Sequence, residues 1–146
     1  MIEALLRRLL APAPEPLTET DARLALAALL VRIARTDGLY AAEEVERIDR
    51  ILMQRHGLDP FAAAKLRAEA EDLESHAPDT VRFTRALKAA TLPEERQELL
   101  EALWSVALAD GLRDADEDRL LRMVANLLGL TDVQSAEARQ RAAREG

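Results

Sequence analysis

Ala34-Arg35-Thr36-Asp37-Gly38-Leu39-Tyr40-Ala41-Ala42-Glu43-Glu44 returns 73 residues later as Ala107-Leu108-Ala109-Asp110-Gly111-Leu112-Arg113-Asp114-Ala115-Asp116-Glu117. Each copy reads Asp-Gly, five residues, then Glu. Asp-Gly marks a turn, because Asp bonds nearby backbone and Gly accepts a positive φ at no steric cost. The flanking residues carry apolar side chains at helical spacing. The stretch is therefore a helix, an acidic turn and a second helix, written twice.

Working outward, the register holds. Leu26 pairs with Leu99, Leu30 with Leu103, Val31 with Trp104, Ile33 with Val106, Ile48 with Leu121 and Ile51 with Val124. The closing Gly57-Leu58 pairs with Gly129-Leu130 after one deletion. Apolar, acidic and glycine classes agree in one register, the mark of an internal repeat. This predicts an all-α compact bundle of about seven to eight helices, with repeat units at about 22–58 and 95–130 and an internal pseudo-twofold.

The remaining punctuation is helical as well. Thr18 with Asp21 opens a helix running to about Arg35, so apolar around Leu24 to Val31 that it should be central. The next runs from about Ala42 to His56, with Val45, Ile48, Ile51 and Leu52 inward, and Gly57 closes it. Asp59-Pro60 supplies an N-cap and a first-turn proline for a helix to about Ser75, with Phe61, Leu66 and Leu73 as its apolar contacts. Pro78-Asp79 opens another, holding Val81, Phe83 and Leu87. Leu92-Pro93 opens the next, and Thr131 with Gln134 forms a capping box for the last. No strand pattern competes, and Trp104, standing where Val31 stands in the first copy, reads as core.

Ahead of this domain (18–146) lie two short segments. Residues 1–10 form an amphipathic helix, with Ile2, Leu5, Leu6 and Leu9 opposite Glu3, Arg7 and Arg8. It reads as a packing or homodimer-forming helix; membrane-surface contact is the weaker alternative for so short a helix of mixed charge. Residues 11–17 are a Pro-rich linker, stiff and extended, so the helix is expected to dock at some distance or on a partner.

The chain has 146 residues, the size of one domain, and should bury roughly 70% of its unfolded surface. Its net charge of −7 and its four aromatics argue against nucleic acid, which needs a basic footprint and stacking platforms. It contains no Cys, which excludes disulfides and thiolate chemistry and suits a cytoplasmic setting. Only Lys65 and Lys88 are lysines among 20 basic residues, a bias that points to a GC-rich bacterial genome. The apolar run from Leu24 to Val31 falls far short of the about 20 residues that span a bilayer.

Ala34-Arg35-Thr36-Asp37-Gly38 with Glu44, and Leu103 to Gly111 with Glu117 followed by Leu127-Leu128-Gly129-Leu130, resemble the TerB-like family, named for bacterial tellurite resistance. Glu95-Arg96 fits as well, and the resemblance spans roughly Thr18 to Leu130. It implies an all-α domain with two related helix pairs, an acidic surface and a link to metal or stress response. The copies differ at Thr36 against Ala109 and at Ala41 against Asp114.

The acidic turns admit two readings. Gly, five residues and Glu form the back half of an EF-hand loop, but the front-half ligands would be Ile33 and Arg35, or Val106 and Leu108, so an EF-hand is excluded. If the two turns meet, Asp37, Glu44, Asp110 and Glu117, joined by Asp114 and Asp116, would hold a divalent cation, Ca²⁺, Mg²⁺ or Mn²⁺, through hard oxygen ligands. Asp37 and Asp110 also sit at helix C-termini, where the macrodipole disfavours an anion. The other reading is turn and capping chemistry alone, on an acidic module that recruits a protein partner. His56 and His76 occupy unrelated places, and no nucleophile or phosphate loop appears, so no enzyme is expected.

Overall fold

Leu24, Ala25, Leu26, Ala27, Ala28, Leu29, Leu30 and Val31 are all buried, and the helix that carries them organises the molecule. A helix apolar on every side has to be surrounded. This one, α2 (Glu19–Arg35), packs against α3 (Ala42–His56), α4 (Pro60–His76), α5 (Thr80–Ala90), α6 (Pro93–Ala107) and α7 (Ala115–Leu127). α1 (Ile2–Leu10) precedes it, and α8 (Asp132–Glu145) closes the chain along α6. The computed structural model describes residues 2–10, 18–36, 38, 40–76, 79–109, 111 and 115–145, and among these it contains eight helices and no strand. Linker residues 11–17 and Pro78 lie outside them.

Helix ends follow the local chemistry. Thr18 Oγ1 accepts from the Asp21 amide at 3.1 Å, and Asp59 Oδ1 from the Ala62 amide at 2.7 Å. Thr131 and Gln134 exchange both bonds of a capping box, at 3.1 and 2.9 Å. Gly38 and Gly111 turn the chain at φ 81° and 74°, a region costly for any side chain. The repeat-paired core residues Leu26, Leu30, Leu99 and Leu103 are all buried, where α2 meets α6.

Two expectations are corrected. α1 docks on its own chain as a packing helix and not at a distance: Leu5 is 1% exposed, Ile2 and Leu6 pack on the core, and the helix lies against α4 and α5. Phe61 is 88% exposed, not an apolar contact of α4. The buried face of α4 holds Ala63, Ala70 and Leu73, and a residue two positions before Ala63 falls on the opposite side of the helix. α5 begins at Thr80, directly after the expected Pro78-Asp79 opening.

Candidate functional site

The six carboxylates singled out by the repeat fare differently. Asp37, Asp110 and Asp114 lie outside the described residues. Glu44 and Glu117, in the first turns of α3 and α7, are 0% and 2% exposed. Glu44 Oε1 accepts a hydrogen bond from the Ala41 amide at 3.0 Å, satisfying one of the donors that a helix start leaves open. Glu95 makes the same bond to the Leu92 amide at the start of α6, also at 3.0 Å. Asp116 is exposed and pairs with Arg119 at 3.4 Å. Among the described residues no group of three His, Asp or Glu side chains is arranged to hold a metal ion.

The chain after the first acidic turn is fastened to α4 by a polar cluster that sequence reasoning missed. The Tyr40 hydroxyl donates to Glu71 at 2.6 Å, and Arg67 donates to the same carboxylate at 3.1 Å and to Asp49 of α3 at 2.6 Å. Arg35 covers the Tyr40 ring at 5.2 Å and donates to Glu74 at 2.9 Å. Burial first, and then the hydrogen bond to Glu71 and its negative charge, push the Tyr40 phenol well above its ordinary range, with Arg67 opposing in part. Such a cluster fixes a turn relative to a helix. It offers no reactive group.

An open groove of about 1190 Å³ lies between α3 and α6, floored by the start of α2 and the end of α5. Arg47 donates to Ser105 at 2.8 Å and joins the two walls there. Since α3 continues from Arg47 to His56 while Ser105 lies near the end of α6, the groove runs from this clasp toward the end of α3 and the start of α6. Its α3 wall presents Arg47, Arg50, Gln54 and Arg55, one face of that helix, with Arg23 of α2 adding a further cation. The facing α6 wall presents Glu95, Glu98 and Glu101. Ile51, Ala102 and the edges of Leu26 and Leu99 make the floor.

The wall charges were readable in principle. Residues 47, 50, 51, 54 and 55, like 95, 98, 99, 102 and 105, fall at the i, i+3, i+4, i+7 spacing of one helix face. Only packing shows that the two faces oppose each other. Trp104, the residue expected in the core, is 7% exposed, bonds Ser135 of α8 at 3.3 Å and lies outside the groove lining.

The described residues form an all-α bundle with buried glutamates in the first turns of α3 and α7. The family model described as Tellurite resistance protein TerB matches residues 23–140, and the chain belongs to that family. The resemblance carried by the Asp-Gly and Glu pairs is thereby borne out. No curated protein and no solved structure matches the chain. No helix among the described residues is long and apolar enough to cross a membrane.

Proposed function

We propose that the chain is a non-enzymatic TerB domain that acts as a protein-interaction module, with its acidic turns serving as turn and capping chemistry. One observation carries this reading: the groove between α3 and α6 combines an apolar floor with charged walls, while Glu44 already serves as a helix cap. Its volume of about 1190 Å³ exceeds the roughly 300–1,000 Å³ of small-molecule sites. The test is capture of partners by the full chain in extracts of cells that make it, comparing native protein with Ala102→Arg, which fills the groove floor, and Leu92→Asp at the exposed start of α6. Partners lost with both variants, each folded by its Tm, support the module; capture indifferent to both overturns it.

A divalent cation at the acidic turns is the second reading, supported by the matched burial of Glu44 and Glu117 and by the tellurite resistance for which the family is named. The ligands would be these two with Asp37, Asp110, Asp114 and Asp116. A cation that prefers the native state raises thermal stability by mass action. Under this reading Tm climbs with millimolar Ca²⁺, Mg²⁺ or Mn²⁺, and Asp37→Asn with Asp110→Asn abolishes the rise. A flat Tm for all three ions removes it.

A further inference from the structure

We propose that the groove between α3 and α6 seats an amphipathic helix of a partner protein, with carboxylates along one edge, lysines or arginines along the other and apolar residues between. The inference rests on the interaction-module reading and names the chemistry of its partner.

Charge is the first argument. The chain as a whole is acidic at −7, yet the formal charges on the α3 wall (Arg47, Arg50 and Arg55) are all positive and those on the α6 wall (Glu95, Glu98 and Glu101) all negative. Helix dipoles account for the ends of these stripes, since Arg55 lies at the C-terminus of α3 and Glu95 at the N-terminus of α6. They do not account for Arg47, Arg50, Glu98 and Glu101, which stand farther along. Glu101 is engaged from outside by Arg141 of α8 at 3.4 Å. Among the described residues no ion pair links Arg50 or Arg55 to Glu98, so these three charges do not neutralise one another across the opening. An occupant of one sign would satisfy one wall and be repelled by the other. An occupant with two edges of opposite sign satisfies both.

Backbone chemistry selects a helix over a strand. Both walls are helix surfaces whose own amides are already bonded, so an extended peptide would find no ladder and would bury unpaired backbone groups. A helix brings its backbone satisfied and lays its apolar stripe on Ile51, Ala102 and the edges of Leu26 and Leu99. An apolar anchor stands at the open end: Leu92, between the lining residues Thr91 and Glu95, is 61% exposed.

The experiment titrates the full chain with three synthetic peptides of roughly 18 residues, long enough to hold a helix on binding. All share one leucine and alanine stripe. Their edges are Glu and Lys, Glu on both sides, or Lys on both sides. The mixed-edge peptide is expected to bind about tenfold tighter than either of the others at low salt, and to lose that advantage as salt screens the walls. Its resonance shifts should fall on Ala22, Thr91 and Ala102. Arg50→Glu and Glu98→Arg should each cost about tenfold in its affinity, Arg50→Glu should improve the all-Lys peptide, and Glu137→Arg on α8 should change nothing. Groove binding that ignores edge charge overturns the proposal and leaves the module reading standing. Shifts confined to other surfaces, or no shifts at all, also overturn it, and the module reading is then decided separately by the capture comparison with Ala102→Arg and Leu92→Asp.

Discussion

Glu44 and Glu95 make the same bond, a carboxylate accepting the amide three residues back, in surroundings that differ in water. Glu44 is fully buried and Glu95 is half-buried. Removing an acceptor that is itself shut away from water costs more than removing one beside solvent, where water replaces it. Glu44→Ala should therefore cost about 2 kcal/mol or more by urea unfolding, Glu44→Gln clearly less because an amide oxygen still accepts, and Glu95→Ala only about 0.5–1 kcal/mol. Equal costs for Glu44→Ala and Glu95→Ala would mean that burial does not set the value of the cap. Tyr40 gives a second residue-level test, cleanly read because it is the only tyrosine. Its phenol is raised in the folded state, so the folded chain holds that proton to higher pH than the unfolded chain does. The associated stability is complete below the unfolded value near 10 and is lost as pH rises above it. Absorbance titration should show no tyrosinate at pH 10.5 (roughly the point where a free phenol is mostly ionised) until the protein unfolds; ordinary titration there would refute the buried hydrogen bond.

At the scale of elements, the helices announced themselves through their ends. Thr18, Asp59-Pro60 and the Thr131–Gln134 pair each name a helix start by their own side-chain chemistry, with no tertiary information. What joins the elements was not legible. Arg67 sits 18 residues from Asp49, and nothing local says that it clasps α4 to α3 while also holding Glu71. The groove was hidden for the same reason, since Arg50 and Glu98 belong to helices distant in sequence. Phe61 misled because a hydrophobic residue in the first turn of a helix looks inward until the buried face, Ala63, Ala70 and Leu73, is known. Arg67→Ala removes a guanidinium shared by two partly buried carboxylates and should lower stability by about 1–3 kcal/mol, with Arg67→Lys recovering only part of it because one ammonium cannot match both geometries. Full recovery by lysine in the same unfolding assay would show that charge alone matters.

For the whole molecule, α2 is the centre and α1 is part of the bundle. The sequence pattern announced the order of the helices and the burial of Leu26, Leu30, Leu99 and Leu103, because periodicity and glycine placement are local facts. It could not show where α1 would dock, since an amphipathic helix behind a proline-rich stretch fits a partner, a membrane surface or its own chain equally well. Leu5 decides the matter. Leu5→Ala should destabilise the entire domain by about 2 kcal/mol or more in a single cooperative transition, as a core leucine does. An arm docked elsewhere would give no change.

The central claim is that this TerB domain works by seating a protein in the groove between α3 and α6. A photo-activated crosslinker placed at Ala102 on the groove floor, and separately at Glu137 on α8, tests it most directly in cells that make the protein. The account predicts a discrete protein adduct from position 102 that disappears when Arg50→Glu is added, and none from position 137. Adducts from 137 alone, or none from 102 when the chain is folded and abundant, would contradict it.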